Sequence, residues 1–307
     1  MSGLSRVTHR TIQEQSLANL QSNLASMATL NEQISTGKRI NKPSDDPTGT
    51  VDALRLRTLQ RDNVQYGKNA DDGLAWLNAT DTALKSTTAQ LNVAVNRTLQ
   101  ALNSGTQNST SRAALAAEVD GVLSAVKGLA NSTYSDRSLF AGTATGAAVT
   151  ASGAAGSQTF AWATTGAGTV QRQIGPDDSV RVDTDGTAVF GADSGSDTSV
   201  FTVLQGLSTA IKTGDDATTR TLLTKLQDRQ AVVLTAATEL GARQNRVMAA
   251  QDAVADRDVS LTKQLSDVQD LDFPKAVIAL TSQQTAYQAA LQVTAKTLQT
   301  SLMDFIR

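Results

Sequence analysis

Cysteine is absent from this 307-residue chain, and histidine occurs once, at His9. The first absence excludes disulfides and thiolate metal sites. The second leaves His9 without a histidine or cysteine to share a metal or a proton. Hydrophobic residues make up 40% and aromatic residues only 4%, so a thick globular core is hard to build. No stretch approaches the roughly 18 consecutive apolar residues that cross a bilayer, and Met1 to Leu20 lacks an apolar core of the signal-peptide type. A soluble protein is expected, one that leaves a cell, if at all, without a cleaved signal. Nor does charge of one sign dominate. The 27 basic and 29 acidic residues are mixed along the chain for a net charge of −2. Neither a nucleic-acid partner nor a membrane partner is therefore expected.

Chemistry is equally thin. Asp45-Asp46 and Asp71-Asp72 are neighbours in sequence, and neighbouring side chains do not face one another. They read as a helix cap at Asp46 and a solvated surface pair at Asp71-Asp72. Asp183-Thr184-Asp185-Gly186 hints at a calcium loop but lacks the distal glutamate, so a hairpin turn is expected there. No glycine-rich phosphate loop follows a strand. Trp76 and Trp162 are expected to fill packing gaps. The reading is no catalytic residue, no cofactor, no metal ligand, and no enzyme.

What is abundant is alanine, threonine, leucine and glutamine, which suit long helices with narrow apolar seams. Leu17, Leu20, Leu24, Met27, Leu30 and Ile34 recur at three- and four-residue spacing and predict a helix from about Val7 to Thr36, stopped by Gly37. After a short loop, Asp46 caps and Pro47 opens a second helix, since proline at a first helical position loses no hydrogen bond. Its seam reads Leu74, Leu77, Asp81, Leu84, Thr88, Leu91, Val95 and Leu102. A third helix carries Leu115, Val119, Val122, Val126 and Leu129.

Near Gly142 the composition turns to glycine, alanine, serine, threonine and aspartate. Short alternating runs appear at Gln158–Trp162 and Ser179–Val182, and Asp185-Gly186 predicts a hairpin between residues 180–182 and 188–190. Helices resume near Val200 and continue through Leu222, Leu226, Val233, Leu240, Val247, Val254, Leu261, Leu265 and Val268. Residues 270–274 break the run. A last helix carries Val277, Leu280, Tyr287, Leu291, Leu298 and Phe305, with Gln284, Thr294 and Ser301 interleaved. The fold class is mainly α with a small β insertion. Three parts are expected: a terminal coiled coil from 1–37 and 273–307, a helical rod from 38–141 and 200–272, and an outer β insertion at 142–199.

Two terminal helices with one seam between them bury little, and short helical pairs are marginal alone. Pattern leaves two outcomes open: closure of one monomer, or packing of both arms among copies of the chain.

The loop Thr36-Gly37-Lys38-Arg39-Ile40-Asn41-Lys42-Pro43-Ser44-Asp45-Asp46-Pro47 resembles the signature that follows the first helix in the flagellin superfamily. Flagellins themselves have a similar arginine, asparagine and paired aspartate without these prolines; the version here is similar to the hook-associated branch. So are Leu139-Phe140-Ala141-Gly142-Thr143, Gln284-Thr285-Ala286-Tyr287-Gln288-Ala289-Ala290-Leu291 and the ending Ser301-Leu302-Met303-Asp304-Phe305-Ile306. The likeness covers both helical arms and skips the insertion. Phe273-Pro274-Lys275 departs from it.

The resemblance implies a flagellin-like antiparallel bundle of N- and C-terminal arms and a structural role in the bacterial flagellum. There the protein would join hook to filament as a ring and seed flagellin. It implies contacts with copies of itself, with another hook-associated protein on the hook side, and with flagellin on the filament side. Export without a cleaved signal to an extracellular site follows, with a cytoplasmic chaperone on the C-terminal helix. The helical seams would be the interface, and Gly37, Arg39, Asn41, Pro43, Asp45, Asp46 and Pro47 would fix how arm and body meet. The alternatives are flagellin itself, and a secreted hydrolase or adhesin using the β insertion.

Overall fold

The computed structural model describes residues 3–103, 108–154, 156–163, 168–194 and 197–305, excepting the side chains of 3–10, 12, 13 and 296–305. Helix α1 (Gly3–Thr36) leads to α2 (Pro47–Leu102) and α3 (Ser109–Ala130). Six short strands follow: β1 (Thr133–Tyr134), β2 (Arg137–Ser138), β3 (Val149–Ser152), β4 (Thr159–Trp162), β5 (Gln171–Gln173) and β6 (Ser179–Arg181). Then come α4 (Gly186–Phe190), α5 (Val200–Thr213), α6 (Asp216–Gln269) and α7 (Phe273–Phe305). The chain forms two compact units, Met1–Asp62 with Asp258–Arg307, and Asn63–Arg257.

In the second unit, α2 and α6 are long because each keeps one apolar row at seven-residue spacing. Ala70, Leu77, Leu84 and Leu91 of α2 are wholly buried, and Leu226, Val233, Leu240 and Val247 of α6 almost so. Side-chain bonds fix the antiparallel register: Gln251 to Asp71 at 2.7 Å, Gln244 to Asn78 at 3.1 Å, and Gln230 to Asn92 at 2.8 Å. A second buried row on α2 consists of Thr80, Thr87, Ala94 and Ala101. The threonine hydroxyls donate to the carbonyls of Trp76 and Ala83, four residues back, so burial leaves nothing unpaired. Helix α3 packs on α5, where Lys212 meets Asp120 at 2.9 Å.

The segment between Gly142 and Ser199 is more than a β appendage. Each strand pair is a separate two-stranded antiparallel hairpin. Beside β4, Phe140, Phe160, Trp162, Phe190 and Phe201 form one aromatic cluster with ring centres 5.2 to 6.0 Å apart. Phe201 belongs to α5, so the insertion shares its core with the helices. Hence the compact units number two, where the sequence suggests three parts.

The hairpin expected at Asp185-Gly186 does not form. Strand β6 pairs backward with β5, registering Arg172 against Val180. Asp185 instead caps α4, accepting from the Thr187 amide at 2.9 Å. A Cβ on Gly186 would run into the Trp162 ring and the Phe140 carbonyl oxygen, 2.8 Å away. The glycine is thus demanded by close approach, not by a turn. Asp183, 1% exposed, accepts from the Val170 amide and from two guanidinium nitrogens of Arg181. Its charge is spent inside the protein. Asp71-Asp72 is likewise no idle pair, because Asp72 holds Arg172 at 2.7 Å and Asp71 holds Gln251.

Candidate functional site: surfaces of the terminal unit

In the first unit α1 packs on α7. The inward residues follow one heptad frame on each helix. On α1 they are Ser16, Leu20, Asn23, Met27, Leu30 and Ile34, all partly buried. On α7 they are Ala276, Leu280, Gln283, Tyr287, Ala290 and Thr294. The middle of the seam is polar: Gln283 donates to Asn23 at 2.9 Å. A polar pair inside a coiled coil fixes register and orientation while lowering stability.

This frame corrects part of the expected seam. Leu20, Met27, Leu30, Ile34, Leu280 and Tyr287 do turn inward. Leu17 and Leu24 are 60% and 48% exposed, and Val277 and Leu291 are 37% and 43% exposed. Each follows directly after an inward residue: Ser16, Asn23, Ala276 and Ala290. In an antiparallel pair those following positions lie along the same flank of both helices, so the four side chains share one edge, together with the exposed Asn31 and Gln284. The opposite edge holds Asn19, Ser26, Gln33, Ala279, Ala286 and Val293, mostly polar or small. The side chains of Leu298, Phe305 and His9 lie outside the described ones.

The loop after α1 is built from caps. Gly37, with φ of 69°, ends the helix in the left-handed conformation that glycine adopts without cost. Its carbonyl accepts from Leu271 at 3.0 Å, and Arg39 N–H donates to Gln269 at 2.8 Å, pinning the loop to the α6–α7 turn. The Arg39 guanidinium then bridges two helix ends. It donates to Asp46 at 3.2 Å and to the Val268 carbonyl at 2.7 Å, where the C-terminal end of a helix favours a cation. Asp46 caps α2 by accepting from Gly49 at 2.9 Å, with Pro47 at the first helical position. Asp45 accepts from the Asn41 and Lys42 amides at 3.0 and 2.8 Å. Asn41 also donates to the Lys38 carbonyl, whereas Pro43 is exposed.

Backbone amides of Lys42 and Asn41 hold the Asp45 carboxyl below the usual carboxylate range. The Gly49 amide, helped by Arg39, does the same for Asp46. The hydrogen bond to Glu32 pushes the Lys42 ammonium up. Every one of these contacts is local. Gln269, Asn23 and Gln283 escape a reading of the sequence, because nothing in polar side chains announces that they line a seam or close a loop. Gln269, 5% exposed, accepts from Arg57 at 2.7 Å. Among the described residues no three acidic or imidazole groups converge as metal ligands would. The unit offers packing surfaces and ties between helices.

Residues 7–145 match the bacterial flagellin N-terminal helical region, and 223–306 match the bacterial flagellin C-terminal helical region. The flagellar hook-associated protein 3 of Escherichia coli K12 is 28% identical over 306 residues, covering 93% of this chain and 94% of that one. The flagellin of Bacillus subtilis 168 is 29% identical over 140 residues only, 45% of this chain and 46% of the flagellin. The solved structure of a flagellar hook-associated protein from Vibrio parahaemolyticus shares the fold. It aligns with a TM-score of 0.63 at 20% identity, over 74% of this chain and 100% of that one.

Proposed function

The chain belongs to the flagellin superfamily, and we propose that it works as a structural protein joining the flagellar hook to the filament. One observation carries this reading: the terminal unit leaves Leu17, Leu24, Val277 and Leu291 uncovered along a single edge while its own seam contains a polar pair. Such an edge is stabilised when another helix covers it. The nearly whole-length likeness to a hook-associated protein 3, against a half-length likeness to flagellin, favours the junction over the filament.

In this reading the working parts are surfaces. The edges of α1 and α7 pack among sister copies to form a ring in the wall of a tube. One side of the ring meets another hook-associated protein and the other receives the first flagellin subunits. The chain reaches its extracellular place unfolded and without a cleaved signal, and α7 is held by a cytoplasmic chaperone beforehand. The loop from Gly37 to Pro47 sets the geometry between α1 and α2 through Arg39 and Asp46. No substrate or cofactor is required.

Removing the gene tests this. Cells should keep complete hooks and release unpolymerised flagellin into the medium. Filaments that stay attached in the deletion strain would overturn the reading.

A further inference from the structure

The row that shuts α2 against α6 in the second unit changes character at one level. Taken by sevens toward the start of α2, it runs Leu91, Leu84, Leu77 and Ala70, all wholly buried, and then Asn63, 2% exposed. On α6, Leu226, Val233, Leu240 and Val247 lead to Val254, which is only partly buried. Asn63 donates from Nδ2 to the Val254 carbonyl at 2.9 Å, and its Oδ1 is buried without a partner. Turning the amide over sets Oδ1 against a carbonyl oxygen and leaves Nδ2 alone, so neither orientation satisfies both ends. Among the described residues no other member of the two rows carries such an atom. Thr80, Thr87 and Thr98 of α2 are buried as well, but their hydroxyls donate to their own helix.

The same turn is weak for a second reason. Asn63-Val64-Gln65-Tyr66-Gly67 contains four poor helix formers, glycine the poorest. Gly67 faces Val254, where a Cβ would lie 3.4 Å from Val254 Cγ1, so the seam at this level is an amide and a glycine against one valine. Val64 is 50% exposed. Among the described residues Asn63 supplies the turn's only side-chain hydrogen bond to α6. Firm ties resume directly after it. Asn69 donates to the Gln173 carbonyl at 2.8 Å, Asp71 accepts from Gln251 at 2.7 Å, and Asp72 holds Arg172 at 2.7 Å.

We propose that residues 63–67 form a hinge in α2. The turn parts from Val254 and recloses, with water reaching Asn63 Oδ1 while it is open, and the seam from Ala70 to Leu91 stays shut. The buried oxygen opposes the closed form, because an orphaned polar atom costs free energy that hydration returns. Helix α2 therefore yields at one fixed level with its main core intact. The inference stands apart from the junction reading, since it concerns a single copy of the chain.

Hydrogen exchange of the purified full-length chain tests it. Amides of residues 64–67 should exchange at least about 100-fold faster than those of 77–91, and low denaturant should leave their rates unchanged, as local opening requires. Asn63→Leu removes the orphan and restores the row, and should slow the 64–67 amides about tenfold. Gly67→Ala should slow them about fivefold, and gives the same readout if leucine does not fit at 63. Three results each overturn the hinge: equal protection of 64–67 and 77–91, exchange at 64–67 that rises with denaturant as global unfolding does, or rates that neither substitution changes.

Discussion

Replacing Leu17 and Leu24 together by glutamine separates assembly from folding. Glutamine matches leucine closely in helix propensity, so α1 itself is hardly perturbed. In the monomer roughly half of each leucine side chain faces solvent, at 60% and 48%. Covering a whole leucine is worth about 2 kcal/mol, so covering the remaining half of two is worth about 2 kcal/mol per contact. That corresponds to about a 30-fold loss in association. The monomer should lose little, within the roughly 0.5 kcal/mol typical of surface changes. The assay pairs thermal unfolding of the purified chain with the amount of flagellin shed by cells producing it. Leu20→Gln is the contrast, since Leu20 lies in the seam and its loss should lower the melting temperature. If Leu17→Gln with Leu24→Gln leaves flagellin attached, or melts the monomer as Leu20→Gln does, the exposed edge is not an assembly surface.

Other outcomes follow from the second unit and the loop. Gly186→Ala should destabilise the chain by about 1 to 3 kcal/mol through overpacking against Trp162, whereas Gly241→Ala, whose Cβ would meet nothing within 4 Å, should gain up to about 1 kcal/mol; denaturant titration of both variants checks the pair. Asp183→Ala strips the buried partner from Arg181 and from the Val170 amide, and should cost about 3 kcal/mol, the low end for a broken buried pair because Arg181 is 37% exposed. The Asp45 and Asp46 carboxyls are held below their ordinary 3.8 in the folded loop, so the stability they give is complete above that value and lost as pH falls through the lowered ones. The pH midpoint in the amide shifts of Lys42 and Gly49 should therefore fall below 3.8, and a midpoint at or above it would refute the caps.

The long helices and their seven-residue rows are legible from sequence because most buried positions are large aliphatic side chains, as with Leu77, Leu84, Leu91, Val233 and Leu240. The caps at Asp46 and Pro47 are legible too, since a local rule fixes them. The second row at Thr80, Thr87, Ala94 and Ala101 is hidden, because threonine reads as a surface residue until its hydroxyl returns to its own helix. Asp185-Gly186 misleads for another reason. The same dipeptide can open a hairpin or cap a helix, and the deciding partner of β6 is the polar strand Gln171–Gln173, which shows no alternation of its own.

The terminal seam misleads most instructively, and its error bears on function. Choosing the largest apolar residue at each turn places Leu17, Leu24, Val277 and Leu291 inside. The helices instead bury Asn23, Gln283, Ala276 and Ala290 and leave those four out. For a protein that folds for itself alone this is a poor use of its leucines, because burial of the larger side chains would stabilise the pair more. For one member of a ring it is coherent. The Asn23–Gln283 pair selects one register of α1 against α7, and the excluded side chains remain for the neighbour. A sequence that spends its polar residues on specificity inside and its aliphatic ones outside is patterned for company. In the proposed ring, the aliphatic side chains that the α1–α7 seam leaves outside are the ones a neighbour would cover.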